Sequence, residues 1–392
     1  MHGPRELTWC EVSTAALAHN VAELRRRVVP AGARLGVVVK AEAYGHGLEV
    51  ASRAFVAAGV DWLIVNALGE AEALRRAGIA CPLYVVGPVA PWMAERVVAA
   101  DVRLVVYDDE LANALAAAAR EAGRVVPVHL KVETGNQRQG LEPADAVALG
   151  KRIAATPGLA LEGLSTHYAD IEDTTDHRFA MLQLQRFEET LQALRQAGIE
   201  VPIANMANSA ATILWPKTHA GLVRVGLAAY GLWPSAQTYA AALALEAQDR
   251  EGRGGYLPTL APALTWRARI AQVKSVPAGS FVGYGRTYRT THASRIAVVP
   301  VGYHEGYDRR LSNLGHMLVG GVRAPVRGRV CMNMTMIDVT DAPEARAGGV
   351  VTLMGEDGDE RISAEELARW MGTINYEVVS RIHPVVPRLA VP

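Results

Sequence analysis

Lys40 follows the apolar run Val37–Val39 and opens a loop carrying Tyr44 and two glycines, VVVKAEAYGHG. An amine at the end of a desolvated strand has its pKa lowered, the usual preparation for a nitrogen nucleophile. A lone lysine there is ordinarily a side chain snorkelling to solvent. Four later segments add chemistry of the same kind. HLKVETGNQRQG carries Lys131 and Arg138, STHYAD carries His167, ANMANSAA carries Asn208 and Ser209, and LVRVGLAAYG carries Arg224 and Gly226. Each has a plain reading alone: a structural histidine, a surface ion-pair arginine, an Asn-Ser helix cap. A cap also offers free N–H groups to an anion. A nucleophilic amine, an anion-ready helix start and several donors together suit an aldehyde cofactor that carries a phosphate.

Such residues need a frame that brings them to one place. Eight short apolar runs alternate with helical patterns: Arg34–Val39, Trp62–Val65, Leu83–Val86, Arg103–Tyr107, Val126–Val132, Leu159–Thr166, Val201–Asn205 and Leu222–Leu227. Runs of this length and apolarity suit strands buried on both faces of a parallel sheet. Helical spacing recurs over Ala15–Val28, Glu110–Ala122, Ala144–Ala155 and Arg178–Ala197. Eight such repeats over ~200–250 residues predict a (β/α)8 TIM-type barrel, whose chemistry gathers at the C-terminal strand ends. The rival, an open dinucleotide-binding sheet, needs a Gly-rich turn after its first strand, where KAEAYGHG stands.

Ser235–Pro258, with its EGRGG stretch (251–255), reads as an irregular connection. From Leu260 the pattern turns β-rich, punctuated by Gly and Pro, with helical periodicity scarce until Ala364–Met371. The expected division is a barrel over residues 13–235 and a C-terminal all-β domain over 236–392, joined by residues 1–12 as an added strand.

The 392 residues hold 40 Lys+Arg against 40 Asp+Glu, and half are apolar. That composition excludes disorder as the main state and gives no bulk attraction to nucleic acid or anionic membrane. Cys10, Cys81 and Cys331 are too few and too scattered for a disulfide framework or a CxxC metal site. Neither a signal-peptide profile nor an apolar run of ~18 residues is visible. The expectation is a soluble, cytoplasmic protein.

Taken in order, VVVKAEAYGHG, STHYAD, MANSAA, RVGLAAYGL, VGYGRTY, VGYHEGYDR, RGRVCMNM and INYEVVSRIHPVVPR resemble the alanine racemase family over nearly the whole chain. The resemblance implies a pyridoxal 5'-phosphate enzyme that interconverts L- and D-alanine, in the cell as a supply of D-alanine for peptidoglycan. It implies that Lys40 holds the cofactor through its amine and serves as one of two bases. The other base is Tyr284, acting from the partner subunit of a homodimer. Tyr44, Asn208, Ser209, Gly226, Leu227 and Tyr376 match residues around the cofactor. Arg224 matches the arginine facing the pyridine nitrogen, and His167 one that orients it. Arg138 and, from the partner subunit, Met332 and Tyr303 match substrate and entrance residues. Lys131 aligns with a lysine carbamylated in some members; an ion pair with Glu133 is the other reading.

Asn205, Val225 and Asn333 stand where the family commonly has His, Pro and Asp, and KVETGNQRQG departs from its usual loop. These departures bear on substrate preference and tuning. Alternatives within the fold are a racemase for serine or several amino acids, and a related decarboxylase. The decarboxylase uses a Cys followed closely by an acid, a pattern missing near Cys331. A non-enzymatic cofactor-binding barrel would lack the β domain.

Overall fold

The computed structural model describes residues 6–248 and 257–392. Strand β1 (Thr8–Ser13) comes first. Eight parallel strands follow: β2 (Arg34–Val38), β3 (Trp62–Val65), β4 (Leu83–Val85), β5 (Arg103–Val106), β6 (Val126–Lys131), β7 (Leu159–Ser165), β8 (Ile203–Asn205) and β9 (Leu222–Val225). They pair in the order β8-β7-β6-β5-β4-β3-β2-β9. The two ends approach through Gly221 N–H to Ala204 O (3.1 Å) and Arg224 N–H to Ala207 O (2.9 Å), so the sheet is a nearly closed barrel.

The apolar runs are strands because both of their faces are covered. Trp62–Val65 is buried at every position, as is β9. The interior is filled to the point of needing glycine. A Cβ on Gly163 would lie 2.3 Å from His129 Nδ1. The helices bury one face each; in Asp109–Glu121, Leu111, Leu115 and Ala119 form the buried stripe. That helix is capped by the Asp108 carboxylate, which accepts from Leu111 N at 2.7 Å.

Ser235–Pro258 departs from the expected irregular connection. Ala236–Gln248 is a helix, AQTYAAALALEAQ, apolar nearly all round. Its alanine-rich sequence has high helix propensity but no polar face to betray a period. The EGRGG stretch lies outside the described residues. A second helix, Asn375–Ser380, also escapes the sequence reading and carries Tyr376.

The described chain forms two compact units. One holds Ala16–Lys40 and the described part of Ser52–Pro262, with the barrel. The other holds the described residues up to Ala15, Ala41–Ala51 and Ala263–Pro392. In the second unit β1 pairs antiparallel with β10 (Leu264–Arg269) and parallel with Arg388–Val391. No helix among the described residues is long and apolar enough to cross a membrane.

Candidate active site

Lys40 lies two residues beyond β2, half-buried. Burial holds its ammonium below the usual lysine range, with Arg138 and then Arg224 pushing the same way and Glu70 opposing them. Lys131, at the end of β6, is buried and held well below its ordinary value, first by burial and then by Arg224 and Arg138. Its Nζ lies 3.5 Å from Ser165 Oγ. The Glu133 carboxylate turns to the loop after β6, accepting from the backbone N–H groups of Gly135, Asn136 (2.5 Å) and Arg138 (3.3 Å).

Arg224, on β9, is held by four acceptors. Its guanidinium donates to Asn205 Oδ1 (2.5 Å), Thr166 O (2.8 Å), His167 Nδ1 (3.1 Å) and Met206 O (3.4 Å). Burial brings it down to about 10, so it stays cationic at neutral pH. Since His167 Nδ1 accepts from a cation, the imidazole is neutral. Burial first, then Arg224, Lys131, Arg138 and Lys40, hold it well below the ordinary histidine value.

The contacts run on into the barrel. Asn205 Nδ2 donates to His129 Nδ1 (2.9 Å) and Leu164 O (3.2 Å). His129 Nε2–H then donates to Glu162 Oε2 (3.1 Å), and the single Arg103 Nε–H is shared between Glu162 Oε2 and Oε1 (2.8 and 3.1 Å). Each link has one donor and one acceptor, which fixes the tautomer of His129 and the flip of Asn205.

Ser209 opens a short helix (Ser209–Leu214) capped by Asn208, whose Oδ1 accepts from Ala211 N at 3.0 Å. Asn208 Nδ2 donates to Glu172 (3.2 Å). Ser209 Oγ accepts from Gly226 N (2.9 Å), tying this helix to the turn of buried Leu227 after β9. Lys40, Lys131, Arg138 and Arg224 therefore act on one another and on His167, while Glu133 is committed to its loop and Glu70 to the N–H groups of Asn66 and Ala67. Arg224 is buried and cationic, with Lys40 and Lys131 acting on it, and an anion would offset that charge. An aldehyde to take the Lys40 amine and a phosphate to offset the cations fit these residues.

In the other unit, Ala41–Tyr44 form a left-handed turn with φ of 52–55° at all four residues. Left-handed backbone costs a non-glycine residue roughly 1–2 kcal/mol, and strain of this kind concentrates at functional sites. His46 supports the turn, its Nδ1 donating to Ala43 O (3.1 Å) and Tyr44 O (3.0 Å). Gly45 lies so close to Val379 O that a Cβ would fall 1.8 Å away. The Tyr44 and Tyr376 rings, both assigned to the cofactor by resemblance, lie 6.1 Å apart, centroid to centroid. Tyr284, Tyr303 and Met332 are exposed at 72, 43 and 56 %.

The sequence reading did not assign roles to His129, Glu162 and Gln183. His129 had a signal, since it shares with Lys131 the inward face of a strand, two residues apart. Fully buried Gln183 accepts from Ala169 N (2.9 Å) and donates to His167 O (3.2 Å) and Thr134 Oγ1 (3.3 Å), joining the loops after β6 and β7. One glutamine on a helix face gives no such sign.

Residues 12–234 match the family described as "Alanine racemase, N-terminal domain", and 263–390 match "Alanine racemase, C-terminal domain". The chain is 41 % identical to an alanine racemase of Symbiobacterium thermophilum, covering 97 % of this chain and 96 % of that one. It is 38 % identical to an alanine racemase of Methanococcus maripaludis, covering 97 % and 98 %. Among solved structures, alanine racemase from Streptomyces lavendulae superposes with a TM-score of 0.89 at 34 % identity, over 99 % and 98 % of the two chains. That from Bacillus anthracis, with bound L-Ala-P, gives 0.88 at 34 %, over 100 % and 96 %.

Proposed function

The chain belongs to the alanine racemase family of pyridoxal-phosphate isomerases, and from that we propose a two-base mechanism divided between two copies of it. The supporting observation is the Lys40 amine, held below its usual value at a strand end beside Arg138 and Arg224. Lys40 would hold the cofactor aldehyde. Ser209, Gly226, Leu227, Tyr44 and Tyr376 would surround its phosphate, and Arg224 would face its pyridine nitrogen. When bound, the cofactor supplies the electron sink that makes the substrate α-proton acidic.

Racemisation then requires the α-proton to leave one face and return to the other. Two bases achieve this without turning the substrate over. Lys40 Nζ serves one face and the Tyr284 hydroxyl of the partner subunit the other. Arg224, cationic and with four acceptors already engaged, would keep a facing pyridine nitrogen unprotonated, which would moderate the electron sink and limit side reactions. Arg138 and the backbone N–H of Met332 from the partner subunit hold the substrate carboxylate, with Tyr303 at the entrance. Lys131, whose ammonium form burial and the neighbouring Arg224 and Arg138 disfavour, is suited in its neutral form to take up CO2 as a carbamate with release of a proton. The working form is a homodimer in the cytoplasm supplying D-alanine for peptidoglycan.

The cofactor-loaded protein, incubated separately with L-alanine, D-alanine and L-serine, should bring alanine to equal amounts of both enantiomers. Borohydride should label Lys40. Release of CO2 without a new enantiomer would sink this reading. Tyr284→Phe should slow proton exchange from one alanine enantiomer much more than from the other, read by solvent-deuterium incorporation.

A further inference from the structure

Two loops of the β-rich unit, Gly302–Gly306 and Cys331–Met334, carry Tyr303 and Met332. Two backbone bonds join them: Tyr303 N–H to Cys331 O (3.1 Å) and His304 N–H to Met332 O (2.9 Å). Gly302 permits this approach, since a Cβ there would lie 2.2 Å from Cys331 O. One side-chain contact adds to the backbone pair. Glu305, 8 % exposed, accepts from Gly302 N at 2.8 Å with Oε2 and from Asn333 Nδ2 at 2.7 Å with Oε1. Each carboxylate oxygen has its own N–H donor.

We propose that Asn333 is a positioning residue keyed to Glu305, locking the Met332 backbone and Tyr303 into one unit that docks substrate. The proposal rests on the roles given above to those two residues. Only an amide or another donor works at 333. An aspartate there would face the buried Glu305 carboxylate across a hydrogen-bond distance. Two carboxylates so placed cannot both stay ionised, and the pair must share a proton. The amide therefore frees the loop pair from pH in the range where alanine is a zwitterion.

Other titratable groups adjoin the pair. His304 is next in sequence, and its ring lies 4.9 Å from that of His383. His383 N donates to Glu305 O (3.0 Å), Cys331 flanks Met332, and the Arg381–Asp308 ion pair (3.0 Å) borders Gly306. All are present in the unaltered protein, so a comparison of variants cancels them.

Cofactor-loaded wild type, Asn333→Asp, Asn333→Ala and the double variant Glu305→Gln/Asn333→Asp are compared for KM and kcat with alanine between about pH 6 and 9. In Asn333→Asp, KM should rise about tenfold over wild type as the shared proton is lost, with kcat within about twofold. Asn333→Ala should raise KM at every pH alike. In the double variant the amide introduced at position 305 accepts from Gly302 and donates to the carboxylate introduced at position 333, restoring the contact with the roles exchanged. Its KM should return to within about threefold of wild type and lose the pH dependence.

A second reading needs no substrate. The shared proton has a folded-state pKa above its unfolded value, so the melting temperature of Asn333→Asp should fall relative to wild type as pH rises through it. The double variant should show no such fall. A wild-type-like pH profile in Asn333→Asp, or kcat falling as KM rises in every variant without rescue, overturns the proposal. A wild type that makes no D-alanine overturns the functional reading instead, and the melting comparison still decides whether Asn333 and Glu305 are matched.

Discussion

Arg224 has four acceptors, and Asn205 supplies the strongest of them through a side chain that reaches on to His129. Asn205→Leu would take one acceptor from Arg224 and leave His129 Nδ1 without its donor inside the barrel, at a cost of about 1–3 kcal/mol in urea unfolding. The two histidines bring a pH dependence of their own. Burial depresses both His129 and His167, so the unfolded chain takes up their protons first, near pH ~6.5. Stability should therefore fall as pH drops below about 6.5, which urea titrations at two pH values would measure. At this scale the sequence was legible where a residue type is unusual for its place, as with Lys40 and Arg224 at strand ends. It was silent where a polar side chain does interior work. Asn205 stood out only as a departure from resemblance, and its partners are 19 and 76 residues away.

Among the elements, the turn at Ala41–Tyr44 is the least expected. Ala-Glu-Ala-Tyr holds good helix formers and no glycine, so propensity points to a right-handed turn. Ala41→Gly should separate the two hands. In a right-handed helix it loses about 1 kcal/mol, whereas at φ 53° it should leave stability unchanged or raise it by up to about 1 kcal/mol. His46, pushed down to about 4 by burial, ties this turn to pH. The unfolded imidazole titrates near 6.5, so its contribution is complete above that value and is lost as pH falls toward 4, roughly 3 kcal/mol in all. His46→Gln should flatten that acid limb. In the barrel, Gly163→Ala should drive a methyl into His129 and weaken its bond to Asn205. The eight strands were legible because parallel strands buried on both faces read as unbroken apolar runs. Ala236–Gln248 was not, since an apolar helix without a polar face has no period to read.

For the molecule as a whole, zero net charge and a small zwitterionic substrate remove long-range steering. Raising salt from about 20 to 300 mM should change kcat/KM for alanine by less than about twofold, where a steered substrate would show a steep fall. The division into two units has a further consequence, concerning the order in which the chain is made. The barrel unit's described residues come from two nearly adjacent stretches, whereas the β-rich unit gathers three stretches of chain. β1 leaves the ribosome well before its partners, Leu264–Arg269 and Arg388–Val391. At roughly 5–20 residues per second β1 must wait tens of seconds for either neighbour. During that interval the barrel can close while Trp9, Cys10 and Val12, all buried in the finished fold, have nothing to pack on. The nascent chain thus carries an unpaired apolar strand ahead of the barrel until Leu264–Arg269 emerges, a natural target for a chaperone and a place where slow translation should cost yield.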